Sequence, residues 1–147
     1  MNLQTKLQNL RDEFEITQND IANILKVSRS SYNNYEHQYD IIPLKRLNML
    51  CNYYNVSIDY IFSFNESKQY KNSKSEIDYK TVSIRLKEFR KEHNLTQVKL
   101  ANILNIGNGT IAEYERGNFL ISTASLYTIC KKYNISADYL LGKIDTK

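Results

Sequence analysis

The sequence predicts an all-α protein made of two tandem five-helix domains joined by a polar linker. Three observations lead there. First, a pattern over residues 7–62 returns in register, without a gap, 79 residues later. Thr17-Gln18 recurs as Thr96-Gln97, Ala22-Asn23-Ile24-Leu25 as Ala101-Asn102-Ile103-Leu104, and Tyr35-Glu36 as Tyr114-Glu115. Cys51 recurs as Cys130, Tyr54-Asn55 as Tyr133-Asn134, and Asp59-Tyr60 as Asp138-Tyr139. Second, apolar residues stand three or four apart, as in Leu3, Leu7, Leu10 and Phe14, which is the interval of a one-sided helix. Third, the chain has four Gly, one Pro and no alternating apolar pattern, so nothing reads as a strand. These observations divide the chain into a first domain over 1–64, a linker over 65–79 and a second domain over 80–147.

Within each copy the helices follow in order. The first covers 2–14 and 80–93. Thr17 and Thr96 are N-caps for a second helix, 18–25 in copy one, whose buried face is supplied by the Ala-Asn-Ile-Leu tetrad. Ser28 caps a third helix over 28–36, with Tyr32 and Tyr35 facing inward. Pro43 suits the first turn of a fourth helix, 43–54, because the N–H it lacks would be unpaired there anyway. Ser57 caps a short fifth helix ending at Phe62, and Ser122 replaces Pro43 in copy two. The stretch after Phe64 is rich in Ser, Asn and Lys without apolar periodicity, which is a linker's composition. About 15 flexible residues would have a root-mean-square span of about 20–23 Å and an extended reach of roughly 50 Å.

Composition narrows the function. No apolar run approaches the ~20 residues that cross a membrane, and the start of the chain does not read as a signal peptide, so a cytoplasmic protein is expected. Cys51 and Cys130 are repeat equivalents in apolar stripes and read as buried thiols. His37 and His93 are not equivalents and stand near no cysteine, so no metal site is expected. No nucleophile–base pairing or phosphate-cradling glycine loop is present, which leaves neither an enzyme nor a cofactor to expect. The net charge of +4 is uneven: residues 1–64 sum to −1 and residues 80–147 to +5. The second copy therefore attracts a polyanion more strongly.

The second and third helices carry the informative pattern. A Gln opens helix two, a small Ala follows four residues on, and a short turn precedes helix three. A small residue lets two helices cross closely, which pushes helix three outward to where a major groove about 12 Å wide admits it. From Ile16 through Leu25, Val27-Ser28-Arg29-Ser30-Ser31-Tyr32-Asn33-Asn34-Tyr35-Glu36, Pro43-Leu44 and Val56-Ser57-Ile58-Asp59-Tyr60, the chain resembles the Cro/C1-type (XRE-type) helix-turn-helix family, to which phage repressors belong. Copy two resembles it through Leu95–Leu104, Ile106–Gly117 and Ile135–Leu141. The resemblance implies lambda-repressor-like domains over both repeats.

It also implies roles. Gln18 and Gln97 match a glutamine that bonds a DNA phosphate and braces the recognition helix. Arg29, Ser30, Asn33 and Asn34 match outward positions of that helix, where Arg suits guanine O6 and N7 and Asn suits adenine N6 and N7. Ser31 suits a phosphate or a base edge. In copy two the outward positions are Asn108, Gly109, Ala112 and Glu113, with Thr110 beside them. Gly109 offers no side chain, and Glu113 must accept from cytosine or be repelled by phosphate. Arg116 and Asn118, in the turn Glu115-Arg116-Gly117-Asn118, are placed to meet phosphate. Copy one reads Glu36-His37-Gln38 there and lacks the family's glycine. Arg11 and Arg90 match an arginine that pairs with a glutamate at the end of helix three, here Glu36 and Glu115.

Of the twelve tyrosines, Tyr32, Tyr35, Tyr54, Tyr60, Tyr114, Tyr133 and Tyr139 fall at apolar positions and read as core, not as base-stacking platforms. The expected function is a sequence-specific regulator of transcription that binds double-stranded DNA, a repressor from a bacterium or phage, with homodimer formation allowed. The alternative is a protein-interaction module, antitoxin-like or anti-repressor, on the same scaffold.

Overall fold

Capping side chains explain where most helices begin. The computed structural model describes residues 1–147, which form ten helices and no strand. Two compact units, Met1–Lys71 and Asn72–Lys147, divide the chain. The first holds α1 (Gln4–Phe14), α2 (Gln18–Leu25), α3 (Arg29–Glu36), α4 (Leu44–Tyr54) and α5 (Ile58–Ile61). The second holds α6 (Tyr79–Glu92), α7 (Gln97–Leu104), α8 (Asn108–Arg116), α9 (Thr123–Tyr133) and α10 (Ala137–Leu140). No helix is long and apolar enough to cross a membrane. Thr17 Oγ1 accepts from Asp20 N–H, and Asp20 Oδ2 accepts from Thr17 N–H in return, a reciprocal capping box. Thr96, Ser28, Ser57, Ser122 and Ser136 cap their helices through the same side-chain acceptance. Pro43 stands one position earlier than its sequence role suggested: it is the N-cap of α4, in extended conformation, and Leu44 opens the helix.

In each unit the second helix packs on the third and fourth. Ala22 and Ala101 are both buried at that crossing, where a larger side chain would force the helices apart. Around them Leu7, Leu10, Ile21, Leu25, Leu47 and Leu50 form the first core, and Leu86, Phe89, Leu100, Ile111, Leu126 and Ile129 the second. Tyr32, Tyr54 and Tyr114 are buried as expected. Tyr35, Tyr60, Tyr133 and Tyr139 are half-buried.

The stretch 65–79 is held at both ends rather than loose. Lys68 C=O accepts from Ser57 N–H at 2.7 Å, and Tyr70 Oη donates to Asp59 at 2.6 Å, so this part belongs to the first unit. Lys74 N–H donates to Lys143 C=O at 2.8 Å, Asp78 N–H donates to Leu141 C=O at 3.1 Å, and the Asp78 side chain caps α6. These residues belong to the second unit. The repeat itself also runs further than residue 62. Lys68 pairs with Glu13 at 3.0 Å, and Lys147 pairs with Glu92 at 3.0 Å; both partners are 79 positions apart. At the other end Lys6 stands over the Tyr60 ring and Arg85 over the Tyr139 ring, again in register.

Five turns place a residue at positive φ in both units. The first unit uses Glu15, Lys26, Gln38, Asn55 and Ser63; the second uses Asn94, Asn105, Gly117, Asn134 and Gly142. The second unit thus fills every such turn with Asn or Gly, the residues that tolerate it, while the first fills four with residues that do not. Gln38 at φ 63° reproduces the turn that Gly117 makes at φ 77°. Tyr39 N–H still reaches Asn34 C=O at 2.9 Å, as Asn118 N–H reaches Glu113 C=O at 3.1 Å. The missing glycine of copy one therefore leaves the loop's path intact and adds strain. Lys26 is exposed and sits at φ 59°. Lys26→Asn, the residue already at position 105, should stabilise the first unit by roughly 0.5–1 kcal/mol. Hydrogen exchange of the α2 amides measures this, and unchanged or faster exchange would contradict it.

Candidate nucleic-acid interface

The outward flank of α3 is wired to the core of its unit. Glu36, fully buried at the end of α3, takes Arg11 Nε at 3.0 Å and Nη2 at 2.8 Å on its two carboxylate oxygens. Arg11 Nη1 also donates to Ile16 C=O at 3.3 Å, which ties α1 to the entry of α2. Gln18 Nε2 donates to Asn33 Oδ1 at 3.1 Å and, more weakly, to Glu36 Oε2 at 3.5 Å. One chain of contacts therefore runs Arg11, Glu36, Gln18, Asn33. Gln18, Arg29, Ser30 and Asn33 line a common open recess. Gln18 Nε2 therefore has two protein acceptors within reach in this conformation. A phosphate, which only accepts, would be met instead by a donor released from that brace or by backbone N–H groups.

The other sequence-predicted positions of copy one divide. Arg29 and Ser30 are exposed, and Asn34 is half-buried. Ser31 turns back to the start of its own helix: its N–H donates to Ser28 Oγ at 3.0 Å, and its Oγ accepts from Ser28 Oγ at 3.0 Å. It belongs to the cap and lies outside the recess.

Copy two repeats the frame and not the face. Arg90 Nε and Nη2 reach Glu115 at 2.6 and 2.9 Å, and Arg90 Nη1 reaches Leu95 C=O at 2.9 Å. Gln97 Nε2 donates to Glu115 at 3.4 Å. Ala112 occupies the position of Asn33 and offers nothing to brace. Asn108 and Gly109 are exposed and Thr110 is half-buried. A Cβ placed on Gly109 would meet nothing within 4 Å. Packing does not require that glycine, so the bare stretch of α8 is a property of its surface. Arg116, Glu113 and Asn118 form a cluster of their own: Arg116 Nη2 donates to Glu113 Oε1, and Asn118 Nδ2 donates to Glu113 Oε2 at 2.7 Å. The Asn118 and Arg116 hydrogen bonds hold the Glu113 carboxyl below the usual carboxylate range. Sequence reasoning placed Arg116 and Asn118 against phosphate and missed that Glu113 already engages both. The spacing of three and five residues around one αL turn was the available signal.

Charge follows the same division. Residues 1–71 carry eight Lys/Arg and eight Asp/Glu, and residues 72–147 carry twelve against eight. At the start of the second helix, Asp20 in copy one is replaced by exposed Lys99 in copy two.

A helix-turn-helix domain family profile matches residues 5–66 and again 84–145. The chain belongs to the helix-turn-helix domain family. Both matches take in the Gln-opened second helix and the third helix that follows it, as the XRE-type resemblance implied. The chain is 46% identical over 59 residues to the HTH-type transcriptional regulator ImmR of Bacillus subtilis (strain 168), a stretch covering 40% of this chain and 46% of that protein. It is 36% identical over 58 residues to the antitoxin PezA of Streptococcus pneumoniae serotype 4, covering 40% of this chain and 37% of that one. It is 33% identical over 61 residues to the HTH-type transcriptional regulator YobD of Bacillus subtilis (strain 168), covering 42% and 54% respectively. The match thus spans about half the length of these relatives or less. Each stretch is about as long as one of the two helix-turn-helix heads.

Proposed function

We propose that the chain is a sequence-specific transcriptional regulator that binds double-stranded DNA, acts as a repressor in the cytoplasm of a bacterium or in a phage-infected cell, and uses two diverged heads. The observation that supports this best is the recess of Gln18, Arg29, Ser30 and Asn33, presented on the outer flank of α3 and fixed from behind by Glu36 and Arg11. Asn33 braced from behind by Gln18, with Arg29 exposed beside it, is a pairing of side chains suited to reading base edges. The first head is the base reader. The second head, with four more cations than anions and few outward side chains on α8, contributes mainly backbone contacts. Joining the heads in one chain raises affinity through effective concentration, by about 10²–10⁴ over one head if both engage. A homodimer would present four heads.

Selection of bound sites from random DNA tests the reading. Arg29→Ala should relax discrimination at one or two base pairs by roughly 1–3 kcal/mol. A selected profile that stays the same in the variant would remove Arg29 from base reading. A second reading is favoured by the likeness to a protein named as an antitoxin, together with Tyr39, Ile41 and Phe119, large apolar side chains exposed on the loops after the third helices. In that reading the heads dock a protein, and the selection enriches no sequence at all.

A further inference from the structure

We infer that Glu113 is a built-in phosphate mimic that makes the grip of the second head on DNA conditional on a cytosine in the major groove. This rests on the DNA-binding reading above. Arg116, the last residue of α8, and Asn118, in the turn after it, are outward donors, and a DNA phosphate is the anion they suit. Glu113 already supplies an anion. One carboxylate oxygen takes Arg116 and the other takes Asn118, so the donors are closed on each other through the recognition helix itself. The cluster lies at the surface, with the Arg116 side chain 58% exposed and that of Glu113 27% exposed. Surface pairs of this kind contribute little stability, so the fold does not depend on it. Copy one has no counterpart. Asn34 occupies the position of Glu113, and His37 and Tyr39 occupy those of Arg116 and Asn118.

The arrangement has a consequence on DNA. For Arg116 and Asn118 to take a phosphate, Glu113 must release them. It then becomes an unpaired carboxylate on a helix facing a polyanion. A donor on a base edge relieves that state, and cytosine N4 is the usual major-groove partner of a carboxylate. Where cytosine is present, Glu113 moves from Arg116 to the base and the turn is freed for the backbone. Elsewhere the clamp stays closed. A single side chain thus links base identity to phosphate contact, and it suppresses non-specific binding by the more cationic of the two units.

The full chain carrying Glu113→Gln keeps the side-chain shape and loses the charge. It should bind random-sequence duplex roughly tenfold more tightly, with the slope of log K against log salt steeper by about 0.9, the value for one added phosphate contact. Adding Arg116→Ala should reverse both changes in the Glu113→Gln background and do little in the wild type. Site selection should show a cytosine preference in the wild type that disappears in Glu113→Gln. Unchanged affinity and slope in Glu113→Gln would overturn the inference, as would an Arg116→Ala loss of equal size in both backgrounds. A wild-type chain that binds no duplex would instead remove the DNA-binding reading, and that arm is measured before any variant is compared.

Discussion

Arg11→Ala should destabilise the first unit by about 3–5 kcal/mol, the cost of leaving a buried carboxylate without its counter-charge. Glu36 has no exposed surface, and its other donor, Gln18 at 3.5 Å, is neutral and distant. The guanidinium donates to both carboxylate oxygens and also to Ile16 C=O, so its loss takes a hydrogen bond from three acceptors at once. Hydrogen exchange resolved by unit is the measurement, because each unit then reports its own opening free energy. Exchange in the second unit should be unaltered. The double variant Arg11→Met, Glu36→Leu separates two roles of the pair. Replacing a buried ion pair with apolar residues is often neutral or stabilising, so the double variant should recover most of the lost stability. It should not recover DNA binding, because Gln18 then loses one acceptor and Asn33 loses the brace behind it. A single-variant loss under about 1 kcal/mol would mean that Glu36 finds water or protonates at little cost. Full DNA affinity in the double variant would reduce the pair to a packing element.

The parts of the molecule that sequence revealed are those that both copies had to keep. The caps, the Ala crossing and the five-helix order follow from local rules, the Arg–Glu pair between residues 25 positions apart came from the family resemblance, and duplication made each visible twice. The parts that stayed hidden depend on contacts without local periodicity. The stretch 65–79 has a linker's composition, yet its backbone is hydrogen-bonded to Ser57 on one side and to Lys143 and Leu141 on the other. Composition reports what a segment can bury and is silent on where its N–H and C=O groups go. A cue was nonetheless present: Glu13 with Lys68 and Glu92 with Lys147 keep the 79-residue register beyond the apolar pattern, although such exposed pairs contribute little energy and read as ordinary surface charge. The candidate site was legible in its residue types but not in its wiring. Ser31 turned to the cap because a hydroxyl three residues from an N-cap serine has a partner at hand. Gln18 turned inward because Asn33 and Glu36 offer acceptors that Ala112 and Glu115 match only in part. The positive-φ turns show how divergence proceeded. The backbone is the same in both units, while the residues at those turns are strained in one and relaxed in the other.

Gly142→Ala should destabilise the second unit by about 2–4 kcal/mol, combining the left-handed penalty of about 1–2 kcal/mol with overpacking of a similar size. Gly142 sits at φ 74°, and a Cβ there would lie 3.0 Å from Asp78 Cβ and 3.1 Å from both Thr81 Cβ and Cγ2. None of these is the far end of a flexible side chain, and Asp78 is doubly committed, capping α6 through its carboxylate and donating its N–H to Leu141 C=O. The neighbours must therefore give by moving the start of α6. Ser63, the equivalent residue of the first unit, has φ 64° and carries a side chain. The difference lies in helix length. α6 begins at Tyr79 and α1 at Gln4, so the turn holding Thr81 has no helical counterpart in the first unit. The glycine is demanded by that added turn as well as by the backbone angle. Gly142→Ala and Ser63→Ala form the test, read by hydrogen exchange in each unit. The first should loosen α6 and α10 together, and the second should shift the first unit by under about 0.5 kcal/mol, the usual range of a surface change. A Gly142→Ala loss of only about 1–2 kcal/mol would assign the requirement to the left-handed angle alone. The same experiment bears on DNA binding, since Gln97 of the second head donates to the Glu115 carboxylate that Arg90 of α6 holds. Loss of α6 should therefore weaken the backbone grip of the second head and leave the sequence preference of the first unchanged.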